Sequence, residues 1–316
     1  MILAADFGGS SIKLGLVEEG RIVARSRLDT RANIQMSDQL EDVGCEWESL
    51  LKANDYTLLD CAACALAVPF LVAPDHSRVL GEFGKFPGAT NLNFEKWSRA
   101  RLGMPMVLEN DLRAALLGEW MAGSARGKTD VVMLAFGTGI GCAVISGGRL
   151  LLGAHNRAAT LLGHSTIACE HPVGRCGNIG CAEDLASTAT LGVRAQERND
   201  WAGSKLAHAA KIDYESIFKL ADQGDACSRA LLLQSLKVWS VVVQNAVIAY
   251  DPQVVVLGGG VLRSQDIILP AIKQHLQLHV PGLPLQTPVV AAALGDDAAL
   301  LGCEVLFKQT FSPLIA

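Results

Sequence analysis

The feature that most limits the folds open to this chain is a strand, glycine turn, strand pattern that occurs twice. Residues 1–20, MILAADFGGSSIKLGLVEEG, place an apolar run on each side of a short polar turn, and the second run closes at Glu18–Gly20. Residues 131–153, VVMLAFGTGIGCAVISGGRLLLG, repeat the design with little identity. Apolar runs bounded by turn residues read as strands, so each segment reads as a hairpin. A third apolar run, within residues 253–261, leads into Gly258, Gly259 and Gly260. Glycine turns expose backbone N–H groups and let an anion approach the chain closely. A single turn of this kind is ordinarily only a hairpin. Two of them, one opening each half of the chain, plus a third cluster, suggest phosphate-binding turns that face each other across a cleft. Two common nucleotide fingerprints are excluded. Gly137-Thr138-Gly139-Ile140-Gly141 lacks the GxGxxG spacing and leads into a strand instead of a helix, and this turn carries no Gly-Lys-Ser/Thr.

Between these landmarks the pattern predicts a helix over 34–54, a buried small-residue strand over 61–69 and a short strand over 105–109. Asn110 and Asp111 end that last strand, and LRAALLGEWMAG continues as a helix. A carboxylate at such a place serves either as a general base or as a helix cap. A loop rich in His, Cys and Gly fills 163–181, helical pattern fills most of 184–250, and a last helix starts near Asp297. Cys61 and Cys64 have redox-motif spacing but lie in a strand-like run, where packing is the better reading. His155, His208, His275 and His279 read as surface or loop residues, and Trp97, Trp120, Trp201 and Trp239 as packing residues.

Length and charge narrow the class. A chain of 316 residues suits two domains, and 50% hydrophobic with 19% charged residues describes a globular protein. The net charge of −5 and the lack of a chain-wide basic patch argue against a nucleic-acid partner. The N-terminus runs straight into a strand with no basic leader, and no uninterrupted apolar run of bilayer length is evident, so no membrane is expected. Nine cysteines, an odd number spread over a large chain, read as reduced thiols of a cytoplasmic protein.

Asp6-Phe7-Gly8-Gly9-Ser10-Ser11-Ile12-Lys13 resembles the DxGGTxxK phosphate motif of the ROK family of sugar kinases and repressors. Asn110-Asp111, the 137–141 turn, Gly163-His164, the segment from Cys176 to Glu183, and Asp251-Pro252 leading to Gly258-Gly259-Gly260 follow in that family's order. The resemblance implies an α/β fold of two actin-like (ribonuclease H-like) lobes with a cleft between them. Its lobes would be 1–115 and 116–297, with a C-terminal helix in 298–316 packing back on the first. It implies ATP-dependent phosphorylation of a hexose or hexose derivative. Asp111 would be the base, Asn110 would hold neighbouring hydroxyls, and Asp6 would position Mg2+ through water. Phosphates would meet Gly8, Gly9, Ser10, Lys13, Gly137, Thr138, Gly139, Gly258, Gly259 and Gly260. His164, Cys176 and Cys181 resemble ligands of the family's structural zinc, and His164 and Glu183 would also contact the sugar. Family habit suggests a homodimer.

The chain departs from that pattern in three places. Gly174 stands where the family has a third zinc-binding cysteine, so Cys169 or His171 would have to supply the fourth ligand. Leu161 stands where a sugar-binding glutamate is usual, and Pro69-Phe70 where Pro-Gly is usual. The pocket is therefore expected to be altered, with glucose disfavoured. The family's repressors carry a winged helix-turn-helix ahead of the first lobe, and a motif that begins at Asp6 leaves no room for one. A catalytically inactive sugar-binding regulator is the remaining alternative, favoured by Leu161 and opposed by Asp111 and both glycine turns.

Overall fold

Both expected hairpins form, and each lies inside a five-stranded mixed sheet. The computed structural model describes residues 1–31, 33–82, 85–279 and 287–311. In the first sheet β1 (Ile2–Phe7) runs antiparallel to β2 (Ser11–Glu18), and β2 runs antiparallel to β3 (Arg21–Asp29). On its other side β1 pairs in parallel with β4 (Ala63–Val68), and β4 with β5 (Met106–Asn110). The order is β3-β2-β1-β4-β5. Every residue of β1 and β4 is buried, which is why these strands read as unbroken apolar runs and not as alternating ones. The sequence pattern did not reveal β3. Its residues alternate between exposed and half-buried positions, with Arg21, Arg25 and Arg27 on the exposed side, as befits an edge strand.

The chain forms two compact units, Met1–Gly127 with Leu150–Ala158 and Ala293–Ala316 as the first, and Lys128–Arg149 with Ala159–Ala292 as the second. The sequence-based boundary at 115 falls inside α3 (Asp111–Ala122), all of which belongs to the first unit.

Within the first unit, α1 (Met36–Ala53) buries Met36, Leu40, Val43, Trp47 and Leu51, a single helical stripe. These join Leu14 and Leu16 of β2 and Phe94 of α2 (Phe94–Leu102) in one apolar cluster. The Trp47 indole N–H donates to Ala4 O at 3.3 Å. Gly15, between Leu14 and Leu16, faces the other side of the sheet, where Leu300 of the C-terminal helix lies 3.3 Å from the place of its missing Cβ. That helix packs on α3 with backbones nearly touching. A Cβ at Gly118 would fall 2.0 Å from Ala298 O, and one at Gly302 would fall 1.7 Å from Ala114 O. The buried Glu119 carboxylate accepts from Ser124 N and Leu294 N, both at 2.7 Å, and so ties the end of α3 to the segment leading into the last helix.

The second unit repeats the sheet plan. Strand β6 (Val131–Phe136) is antiparallel to β7 (Ile140–Ser146), which neighbours β8 (Arg149–Leu150). β6 is parallel to β9 (Val254–Gly258), and β9 to β10 (Val289–Ala291), in the order β10-β9-β6-β7-β8. Its helices are α4 (Ala182–Ala186), α5 (Thr188–Gln196), α6 (Tyr214–Asp222), α7 (Ala226–Tyr250) and α8 (Gln265–His279). The last helix of the chain, α9 (Ala298–Phe311), belongs to the first unit. α7 has 25 residues and a mean hydropathy of 1.4 over its most apolar stretch, enough by length and composition to cross a membrane. The sequence reading did not single it out. Its apolar side is used inside the unit, where Trp239 stacks on Phe136 with ring centroids 5.5 Å apart and donates to Ala186 O.

Candidate active site

In the first unit the parallel register sets Asp6 beside Ala67, and Ala67 and Val68 beside Glu109 and Asn110. The carboxyl ends of β1, β4 and β5 thus share one edge, the edge at which open α/β sheets bind ligands. Asn110 caps α3. Its Oδ1 accepts from Leu112 N at 3.1 Å and Arg113 N at 3.3 Å, and its amide donates to Phe70 O and to Asp111 Oδ1. Asp111 is therefore the first helical residue and not the cap, although its Oδ1 also accepts from Leu112 N at 2.8 Å. Burial pushes the Asp111 carboxyl up to about 7, and the negative charge of Asp6 adds to the rise. The Leu112 N–H, the Lys85 ammonium and the Asn110 amide work against it. Burial also holds Asp6 above the usual carboxylate range, despite Lys13. The Lys13 ammonium lies 3.1 Å from both Asp6 and Asp296. Burial opposes its charge, but the two carboxylates outweigh burial and raise its pKa.

The Gly8-Gly9-Ser10 turn is closed by Gly8 N donating to Ser11 O at 3.0 Å and by Thr30 Oγ1 donating to Gly8 O at 2.8 Å. Lys85 Nζ stands 4.0 Å from where a Gly9 Cβ would be. Lys85 thus faces both the turn and the field of Asp111, and sequence reasoning missed it. The only signal was a lysine set among Gly, Phe and Pro in GEFGKFPG. A second missed group lies one turn into α3. Arg113 is buried, pairs with buried Glu109 at 3.3 Å, and donates to Asn156 Oδ1 at 2.5 Å and to Ala158 O at 3.1 Å. It clamps the returning segment 150–158 onto the helix that carries Asp111. Glu109 Oε2 is buried without a hydrogen-bond partner among the described residues, and His76 Nδ1 lies 3.6 Å from it.

In the second unit the Gly137-Thr138-Gly139 turn is tied to the start of α5 by Thr188 N, which donates to Gly137 O at 2.9 Å. Glu183 Oε2 accepts from Ile140 N at 2.8 Å, and a Cβ at Gly139 would fall 2.5 Å from that oxygen. Glu183 Oε1 lies 3.9 Å from His164 Nε2, so both expected sugar contacts come together beside the turn. Gly259 has φ +89° and passes so close to β6 that a Cβ would fall 2.2 Å from Phe136 O. Only glycine meets both demands. Gly260 N lies 4.0 Å from the place of a Gly137 Cβ, which brings the 137–139 turn and the 258–260 cluster together within this unit. Leu161 is exposed, just ahead of the short helical turn Leu162–His164.

His164, Cys176 and Cys181 offer one donor atom each within 4.8 Å of one another, and the two sulfurs are 3.5 Å apart. His164 Nδ1 is buried without a hydrogen-bond partner among the described residues, a lone donor beside two sulfurs. Imidazole and thiolate suit zinc, so these residues fit the metal that the resemblance implies. Paired segments hold the loop, Thr166 with Cys181 and Val173 with Ile179, and Asn178 Nδ2 donates to His164 O at 2.6 Å. Cys169 and His171, the expected sources of a fourth ligand, are exposed and outside the group. Their stretch turns outward through His171 N donating to Ala168 O. Cys64 lies within β4, and burial pushes its thiol up to about 12 and that of Cys61 to about 11, which suits packing and not redox exchange.

The whole chain has known relatives. It is 27% identical to a glucokinase of Thermotoga maritima, covering 98% of this chain and 97% of that one. It is 29% identical to a beta-glucoside kinase of Listeria monocytogenes, over 98% and 97% of the two chains. A crystal structure of a ROK family glucokinase from Streptomyces griseus with glucose and AMPPNP is 25% identical, with a TM-score of 0.76 over 98% of this chain and 99% of that one. These likenesses bear out the expected α/β actin-like fold, whose two units repeat one sheet plan. The sequence model of the ROK family matches residues 2–310, and the chain therefore belongs to the ROK family.

Proposed function

We propose that this protein transfers the γ-phosphoryl group of ATP to a hydroxyl of a hexose or hexose derivative, with Asp111 as the general base. The observation that carries the reading is Asp111 itself, a carboxylate at the carboxyl end of the parallel strands β1, β4 and β5, relieved of capping by Asn110 and with its pKa pushed up to about 7. A base poised near the working pH takes a proton most effectively. As the sugar oxygen bonds to the γ-phosphorus, its proton passes to Asp111, and the bond from that phosphorus to the bridging oxygen breaks to release ADP. Asn110, its amide donating to Asp111 Oδ1, holds the carboxylate in one orientation. Lys85, over the Gly9 turn, offsets phosphate charge there. Asp6 supplies a hard oxygen donor that suits Mg2+, which when bound would neutralise charge on the phosphoryl oxygens. His164, Cys176 and Cys181 would hold a structural zinc, fixing the loop from which His164 meets the sugar.

The relatives named as glucokinase and beta-glucoside kinase support a sugar acceptor and ATP as donor. The test is ADP formation by purified protein with ATP and a panel of glucose, mannose, fructose, allose and their N-acetylamino relatives. Turnover of one or more is expected, and no turnover of any would remove the kinase reading. A second reading, a sugar-binding regulator without catalysis, is favoured by Leu161, an exposed apolar side chain close to His164. It predicts sugar binding with no ADP formed.

A further inference from the structure

The His164, Cys176 and Cys181 group offers three donors, whereas tetrahedral zinc takes four. The missing cysteine of the ROK-like pattern falls at Gly174. That glycine does not border open space. A Cβ built on it would fall 1.4 Å from Asp184 Oδ2 and 2.6 Å from Asp184 Cγ. The Asp184 carboxylate thus occupies the volume that a side chain at 174 would fill. Its Oδ2 is buried without a hydrogen-bond partner among the described residues, a costly state for a carboxylate oxygen. Asp184 is also tied to the group. Cys181 caps α4, and the Asp184 N–H in the first turn donates to Cys181 Sγ at 3.4 Å.

We infer that Asp184 is the fourth ligand of this metal site, in place of the thiolate that Gly174 cannot supply. The zinc is then held by one nitrogen, two sulfurs and one carboxylate oxygen. The carboxylate lies outside the group whose donors are within 4.8 Å of one another, so coordination requires its side chain to turn toward Cys181. Gly174 is needed for the same reason, since any larger residue there expels Asp184. The inference rests on the zinc reading of this loop and not on the kinase reading.

Wild type, Asp184→Ala and the double variant Gly174→Cys with Asp184→Ala are purified under reducing conditions from zinc-supplemented cells. Zinc content is read by mass spectrometry, affinity by chelator competition, and thiolate ligation by the absorption of the Co2+-substituted protein. The wild type is expected to hold about one zinc per chain, and Asp184→Ala to bind about 10–100-fold more weakly. The double variant is expected to recover affinity and to gain sulfur-to-cobalt charge-transfer intensity as a third thiolate joins. An Asp184→Ala protein that binds zinc as tightly as the wild type overturns the inference. A wild type that holds no zinc overturns the zinc reading as well. Should Asp184→Ala fail to fold, the double variant decides, because it carries the same deletion and regains binding only if positions 174 and 184 serve one ligand place. None of these readouts depends on turnover, so failure of the sugar panel leaves them standing.

Discussion

At the scale of single residues, Asp111 illustrates how burial lifts a carboxylate toward neutral pH, as the proposed general base requires. Asp111→Asn keeps the shape but cannot take a proton, so kcat should fall by about 10²–10⁴-fold with sugar binding retained. The fold should survive. With its folded pKa raised, ionised Asp111 costs stability at neutral pH, and that cost disappears in the amide. The same shift sets a pH dependence. The base must be ionised, so kcat/KM should be lost as pH falls through about 7 and regained above it. Lys85 opposes the rise, so Lys85→Met should move that acid limb to higher pH and raise KM for ATP, and an unmoved limb would remove Lys85 from the site. On the kinase reading, Leu161 bears on the choice of acceptor. It cannot accept a hydrogen bond, and a buried sugar hydroxyl left unpartnered against it costs roughly 1–3 kcal/mol. Leu161→Glu should therefore raise kcat/KM for glucose by about 5–150-fold. A wild type already as efficient on glucose as on any other sugar would sink that idea.

At the scale of elements, the foot of α3 is a hub. Arg113 reaches Glu109 on β5 and the carbonyls of segment 150–158 in one buried fork, and Asn156 continues the clamp by donating to Val72 O at 3.2 Å. Removing one member of a buried ion pair strands the other, at about 3–5 kcal/mol. Arg113→Met should therefore lower the unfolding free energy by about that amount, measured by denaturant titration. The double variant with Glu109→Gln should lose less than Arg113→Met alone, because no buried charge is left behind. An equal or larger loss in the double variant would mean that packing and not charge holds the clamp. Because Arg113 sits two residues after Asp111 on α3, the clamp also fixes where the Asp111 carboxylate stands.

At the scale of the whole molecule, the chain returns to its beginning. Helix α9 belongs to the first unit and packs on α3, β1, β2 and β4. Its residues Ala298 to Leu306 are all buried. Deleting residues 298–316 should uncover that face of the first sheet and leave protein that is insoluble or lacks a cooperative thermal transition. A soluble truncated chain with the wild-type melting temperature would show α9 to be dispensable. The reason is the apolar area that α9 covers on α3, β1, β2 and β4, which the deletion would expose to water.

What the sequence determined alone was whatever is written within a few consecutive residues. Period and turn chemistry placed the two hairpins, the buried strand β4, and the Asn110-Asp111 pair at the end of β5. Motif order placed the family. Elements without such a local signature were missed: β3, whose charged edge masks its period, and the short strand β10 with its three residues. Tertiary structure decided the rest. Asn110 and not Asp111 caps α3, because only Asn110 holds the N–H groups of both Leu112 and Arg113. Glu119 meets Leu294 across 175 positions of chain, and Gly174 meets Asp184 through a loop whose path no local rule dictates. The raised pKa of Asp111 likewise depends on burial and on Asp6, far away along the chain. Such contacts arise when the sheet closes and water leaves, and a one-dimensional pattern holds no record of which distant groups will then share a dry space.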